Sequence, residues 1–307
     1  MCDVPTTTMP VTSLAAAPAG VRARASAYLE LTKPGIVRMV LITAGAGFFM
    51  ASNGFLRPGA MLWMLLGMAL AAAGACGLNE YLERDHDARM RRTARRPLPA
   101  GALSARQALV FSTLLTTLGV AVLGWRTNAL TAVLVASTVL SYLFLYTPLK
   151  RVHWTATLVG AVPGALPILA GWTAAGGSLG GRGFALFAIL FFWQMPHFFA
   201  LAWMYRDDYR RGGFHMLTEH DRSGRRTARQ IVVWALALVA VSTLPTVTGL
   251  TAAPYAVAAL LLGLAFLVPA LALLRRPSDA GALRVFLGSV AYLPLLLLVM
   301  VLEKLLA

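Results

Sequence analysis

The chain has 307 residues, 58% of them hydrophobic and only 13% charged, about half the charged share of an ordinary soluble domain. A water-soluble body of that size would lack the polar surface to cover itself. The net charge of +15 could suggest nucleic acid, but the basic residues gather in alternate connections between apolar runs, which is the pattern of a membrane topology.

In chain order, residues 1–27 come first. They lack the apolar core of a signal peptide and are expected to form a disordered leader, an organelle-targeting segment being the alternative. Runs long enough to span a bilayer, about twenty residues each, then recur at 36–53, 60–82, 103–125, 129–147, 154–174, 184–205, 230–250, 253–274 and 284–303. The expected fold is all-α: a polytopic membrane protein of nine transmembrane helices, forming one domain over 28–307. Of the 27 basic residues, 23 fall before or at the start of the first run or in and at the edges of the even-to-odd connections, and only Arg57, Arg126, Arg182 and Lys304 fall on the other side. The positive-inside rule then puts the N-terminus and those connections in the cytoplasm. The expected location is a bacterial inner membrane, with a mitochondrial inner membrane as the alternative. Cys2 and Cys76 make no disulfide framework, and Cys76 is expected to be a packing residue.

Eight of the twelve acids fall in two places: Glu80, Glu83, Asp85 and Asp87 at the end of the second run, and Asp207, Asp208, Glu219 and Asp221 beyond the end of the sixth. The two runs are four apart and point the same way, so a bundle could bring their acidic ends together. Like charges at a low-dielectric boundary need compensation. Asn79, Glu83 and Asp87 are spaced i, i+4, i+8 and share one helical face. An amide oxygen and two carboxylates in a row suit Mg²⁺, which takes oxygen ligands and shares them with substrate phosphates. A salt-bridged helix end is the plainer alternative. No Cys/His group shows zinc spacing. Arg84, Arg91, Arg92, Arg95 and Arg96 surround the acids, and Lys150 and Arg151 enter from YTPLKR. Acids that hold a metal, ringed by Arg and Lys, fit an anion of several charges, most simply a diphosphate. At the mouth of an oily bundle, that anion is expected to be a lipid diphosphate.

The stretch NEYLERDHD at 79–87 resembles the first aspartate-rich motif, N-x-x-x-D-x-x-x-D, of the UbiA superfamily of intramembrane prenyltransferases. LTKPGI at 31–36, YTPLKR at 146–151, GAVPGALPILAGW at 160–172 and WQMPHFFALAWMYRDDYRRGGFHML at 193–217 resemble, within it, the protohaem IX farnesyltransferase group. The resemblance implies transfer of farnesyl from farnesyl diphosphate to a vinyl group of haem b, with Mg²⁺ as cofactor and haem b as substrate. It implies Asn79, Glu83 and Asp87 as catalytic metal ligands, Asp85 as an additional ligand, and Asp207 and Asp208 as the second acidic pair. Position 83 departs from the motif, with Glu for Asp, and Asp207 and Asp208 are followed four residues on by Arg211 and Gly212 rather than by an acid. Arg84, Arg92, Arg96, Lys150 and Arg151 become candidate diphosphate contacts, and Tyr146 a candidate substrate contact. His197, in an apolar run beside Pro196, becomes a candidate haem contact, with hydrogen-bonded packing as its alternative. The implied partners are farnesyl diphosphate, haem b, the lipid bilayer and, downstream, a haem A synthase or terminal oxidase assembly factors, with no nucleic acid. Two other functions remain open: prenylation of an aromatic acid or quinone precursor, and ion-coupled transport. Transport is disfavoured because its charges belong near the bilayer midplane.

Overall fold

The computed structural model describes residues 20–52 and 57–306. Among these, nine helices are long and apolar enough to cross a membrane. With two shorter helices they are named in chain order: α1 (Val21–Leu31), α2 (Pro34–Ala51), α3 (Pro58–Asp87), α4 (Ala105–Arg126), α5 (Ala129–Leu149), α6 (Ala156–Ala174), α7 (Gly181–Met204), α8 (Arg206–Gly212), α9 (Arg225–Val247), α10 (Ala253–Arg275) and α11 (Asp279–Leu306). A 3₁₀ turn, Leu217–His220, follows α8. The chain is a multi-span helical membrane protein, and every expected span finds its helix.

The leader needs a correction. Residues 1–19 lie outside the described residues, but 21–27, expected to be disordered, are the first part of α1. The helix forms because Ala27 and Leu31 are buried against Leu103 and Ala108, and the Tyr28 ring lies 4.7 Å from that of Phe111.

Two apolar clusters stand side by side. One joins α2, α3, α4, α5 and α6 around Phe48, Met64, Met68 and Leu123. The other joins α6, α7, α9, α10 and α11 around Ile168, Ile189, Phe199, Tyr255 and Leu296. Helix α6 belongs to both, and it approaches α2 closely through small residues. A Cβ on Gly47 would sit on the Ile168 carbonyl oxygen, inside van der Waals contact. Much of the remaining apolar surface faces outward, including Leu114, Val133, Leu261 and Val268, as lipid-facing positions must.

Helix length positions the site. Helix α3 has 30 residues and so measures about 45 Å, against a hydrocarbon core of about 30 Å. Its last turns, Asn79 to Asp87, therefore project beyond the apolar slab while remaining one continuous helix. Pro97 and Pro99 then hold the following segment in turns, which fold back over the helix end as the Leu98 N–H donates to Glu80 Oε1 at 3.3 Å.

Candidate active site

Asn79, Glu80, Glu83 and Asp87 are all buried at the end of α3, on the face their spacing predicts. Each of the three expected metal ligands meets a cation from a different segment. Lys33 Nζ donates to Asn79 Oδ1 at 3.1 Å, Lys150 Nζ lies 2.5 Å from Glu83 Oε1, and Arg96 Nη1 lies 2.6 Å from Asp87 Oδ2. Asn79 Nδ2 donates to Thr147 Oγ1 at 3.2 Å, which orients the amide with its oxygen toward Lys33. Glu80 Oε2 is buried with no hydrogen-bond partner. The carboxylates are thus spaced apart by their cations. Their oxygens form a hard, anionic donor set of the kind Mg²⁺ takes, and the orphaned Glu80 oxygen leaves a further oxygen acceptor beside it.

Lys33 is the residue that sequence reasoning missed, having counted it as a topology charge. It sits between α1 and α2 with φ 50°, a left-handed conformation that is uncommon outside glycine and a form of strain that clusters at functional positions. Burial, with the Arg96 charge adding to it, pushes the Lys33 ammonium below the usual lysine range. Lys150 goes the other way. Burial opposes its charge, but the Tyr146 oxygen and the Glu83 carboxylate outweigh that and push it up. The Lys150 ammonium also lies 4.8 Å from the Tyr146 ring centre and 4.9 Å from that of Phe214.

The second acidic segment is brought to the first. His86 Nδ1 donates to the Gly212 carbonyl at 2.7 Å, and the Arg91 N–H donates to Asp208 Oδ1 at 3.2 Å. Arg92 stacks over Tyr205 at 4.9 Å. Asp208 also takes the Arg211 guanidinium. Burial would raise its carboxyl, but hydrogen bonds from Arg211 and the Arg91 and Arg92 backbone hold it below the usual range. Asp207 is exposed and pairs with Arg210 at 2.8 Å. None of these contacts is with Asn79, Glu83 or Asp87. Asp85 and Arg84 do not join the cluster either: Asp85 is 77% exposed, 3.8 Å from Arg84, and Arg84 lies over Tyr81. Arg151 is spent on the Leu82 carbonyl at 2.7 Å. One feature escaped the sequence reading. His215, Glu219 and His220 come together, with His215 Nδ1 2.8 Å from Glu219 Oε2, although they are partly or largely exposed.

Beneath the acids, between the helices, lies a cavity of about 470 Å³ walled mostly by apolar side chains. Tyr142, Tyr146, Tyr209, Gln194, His197 and Cys76 are among its few polar groups. Tyr142 and Tyr146 are placed by one turn of π-helix, Ser141–Tyr146, a distortion that often marks functional positions. It brings the Tyr142 and Tyr146 rings into a stack 5.5 Å apart. Gly160 makes room for Tyr146, since a Cβ there would collide with the ring. Tyr146 touches both the cavity and Lys150, so it stands where the charged cradle meets the apolar space. Helix α7 runs unbroken through Pro196, and His197 borders the cavity from it.

Residues 40–296 match the model of the UbiA prenyltransferase family. The chain is 45% identical to a protohaem IX farnesyltransferase of Solibacter usitatus over 90% of this chain and 98% of that protein. It is 47% identical to one of Salinibacter ruber over 87% and 94%. Among solved structures, a digeranylgeranylglyceryl phosphate synthase superposes with a TM-score of 0.76 at 18% identity, covering 91% of this chain and 98% of that one. A UbiA homologue from Archaeoglobus fulgidus, solved with GPP and Mg²⁺, superposes with a TM-score of 0.64 at 14% identity, covering 90% and 99%. The chain therefore belongs to the UbiA prenyltransferase family, and the relatives it matches across nearly their whole length are protohaem IX farnesyltransferases.

Proposed function

We propose that this chain transfers the farnesyl group of farnesyl diphosphate to a vinyl group of haem b, giving a hydroxyethylfarnesyl haem. The observation that carries the reading is the pairing of Glu83 with Lys150 and Asp87 with Arg96 at the mouth of an apolar cavity. The 45% identity with a protein of that named activity supports the same acceptor. The archaeal homologue solved with GPP and Mg²⁺ supports a metal–diphosphate headgroup.

Asn79, Glu83 and Asp87 would hold Mg²⁺, which supplies Lewis-acid neutralisation of the departing diphosphate. When a diphosphate arrives, Lys33, Lys150 and Arg96 leave the α3 oxygens and take the phosphate oxygens, freeing those α3 oxygens for the metal. Arg92 adds charge to the rim. Asp208 and His86 keep the two acidic segments joined over the headgroup. The farnesyl chain lies in the cavity below Tyr146, where the helices keep bulk water from the allylic cation that forms as the C–O bond breaks. The haem vinyl carbon attacks that cation, and one water then adds to the resulting haem-side cation and gives up a proton. The basic connections support a mouth on the cytoplasmic face of what we take to be a bacterial inner membrane, from which the product would pass to a haem A synthase or terminal oxidase assembly. The test is diphosphate release from farnesyl diphosphate by the purified protein in bilayer discs. Release that requires both haem b and Mg²⁺ is expected, and release that ignores haem b but requires an aromatic acid overturns the assignment.

A further inference from the structure

Gln194 of α7 is 4% exposed, and a buried amide needs each of its polar atoms accounted for. Its side chain can point only one way. Gln194 Nε2 donates to the Leu190 carbonyl at 3.0 Å and to the Ala161 carbonyl of α6 at 3.3 Å. A carbonyl can only accept, so the remaining amide atom is the oxygen. Gln194 Oε1 fills the space that Gly164 leaves, where a Cβ would collide with it. It accepts from no donor among the described residues, yet unlike Glu80 Oε2 it is not sealed inside protein. Gln194 and Gly164 both line the cavity, so this oxygen opens on it.

A second acceptor stands beside it. Pro163 and Pro167 both lie inside α6, and Pro167 has no N–H to give. The Pro163 carbonyl therefore lacks the donor that a regular helix supplies from four residues on. Pro163 and Pro167 line the same wall as Gly164. Helix geometry sets the depth of the pair. Gly160 packs against the Tyr146 ring, at the junction of cradle and cavity, and Gly164 is about one turn further in, about 6 Å. A water needs two or more polar partners to stay in an apolar cavity, and two acceptors without donors call for both of its protons. A water that gives both turns its lone pairs to the open cavity, as a nucleophile already aimed.

We infer that Gln194 Oε1, together with the Pro163 carbonyl, holds the water that hydrates the haem-side cation, an inference that rests on the reading of haem b as acceptor. In that reaction the terminal vinyl carbon bonds to the farnesyl carbon that leaves the diphosphate. Positive charge then falls on the vinyl carbon next to the macrocycle. That carbon is only two bonds from the farnesyl carbon, so a water held one turn below the cradle reaches it. The water oxygen forms the new C–O bond, one of its O–H bonds breaks, and the released diphosphate takes the proton. With no water held in place, the same cation loses a proton from its neighbouring carbon to the diphosphate and becomes an olefin. Gln194 is thus a positioning residue that decides between two products.

The experiment incubates the purified protein in bilayer discs with haem b, farnesyl diphosphate and Mg²⁺, and separates the extracted haems by mass. Wild type is expected to give hydroxylated farnesyl haem as its main product. Gln194→Met keeps the shape of the side chain and removes the acceptor. It is expected to go on farnesylating haem, while the ratio of hydroxylated haem to the product lighter by one water falls about 2- to 10-fold, the weight of one hydrogen bond. Gln194→Glu keeps an oxygen in place and is expected to restore the wild-type ratio. Gly164→Ala, whose Cβ displaces Oε1, is expected to shift the ratio as Gln194→Met does, and it carries the test if Gln194→Met does not fold. A Gln194→Met or Gly164→Ala protein that is slower or less stable, but keeps the wild-type ratio, shows a packing role only and overturns the inference. Absence of any farnesylated haem from wild type is a different failure: it overturns the functional reading and takes the inference with it.

Discussion

Replacing Lys150 by Met removes one member of a buried ion pair and leaves the other stranded. Lys150 is 8% exposed and Glu83 4%, with 2.5 Å between them. Removing one partner from such a pair typically costs about 3–5 kcal/mol, because an uncompensated charge stays buried. The pair sits at the mouth of the bundle, so the lower figure of about 3 kcal/mol applies. Glu83→Gln is not its mirror image. The Lys150 ammonium keeps the Tyr146 and Phe214 rings within 5 Å, each worth about 0.5–1 kcal/mol to a cation, so the loss falls to about 1–2 kcal/mol. The double variant removes both charges and should lose about 2 kcal/mol less than the sum of the singles. At about 2–4 °C per kcal/mol for a chain of this size, Lys150→Met lowers the midpoint of thermal unfolding by about 6–12 °C. The assay is tryptophan fluorescence on heating the detergent-solubilised proteins at pH 7. A Lys150→Met midpoint at the wild-type value, or strict additivity in the cycle, would refute the buried pair.

Asp87→Asn is expected to slow haem-dependent diphosphate release by about 100-fold or more, as for loss of a group that stabilises developing charge. Asp85→Asn, altering an exposed carboxylate outside the cluster, should change the rate by less than about threefold, and equal losses would contradict the assignment of ligands. Chelation of divalent cations should abolish product formation and added Mg²⁺ restore it, whereas full activity in excess chelator rejects a metal in the cradle. Gly47→Ala should lower the unfolding midpoint through overpacking of about 1–3 kcal/mol, since its Cβ meets the Ile168 carbonyl; an unchanged midpoint shows that α2 and α6 can separate freely. At the far end of the bundle, Lys304 Nζ donates to the Phe49, Met50 and Ser52 carbonyls at 2.6–2.8 Å. Lys304→Met should cost about 1–3 kcal/mol of stability with kcat/KM unchanged, and a selective loss of kcat/KM would give that residue a role the structure does not suggest.

The spans were readable because a bilayer imposes one strong rule, a long apolar run for each crossing. The face shared by Asn79, Glu83 and Asp87 was readable because α3 stays helical past the apolar slab. What stayed hidden depends on long-range pairing. Lys33, 46 residues from Asn79, looks like one more basic residue at the edge of a span until the fold sets its ammonium on the Asn79 amide oxygen. Asp85 and Asp87 are two residues apart and look equivalent in sequence, but two residues turn a helix by about 200°, and only Asp87 faces inward. The π-helical turn that places Tyr142 and Tyr146 has no sequence signature, since it is set by the packing of α5 on its neighbours. The meeting of His215, Glu219 and His220 depends on the 3₁₀ turn Leu217–His220 after α8, which the sequence does not announce.

The most direct test of the central claim is the mass of the haem recovered after reaction in ¹⁸O-labelled water. The purified protein is incubated with haem b, farnesyl diphosphate and Mg²⁺. Haem heavier by one farnesyl group and one hydroxyl, with the label in that hydroxyl, is the predicted result. Haem returned unchanged while farnesyl diphosphate is consumed would contradict the account.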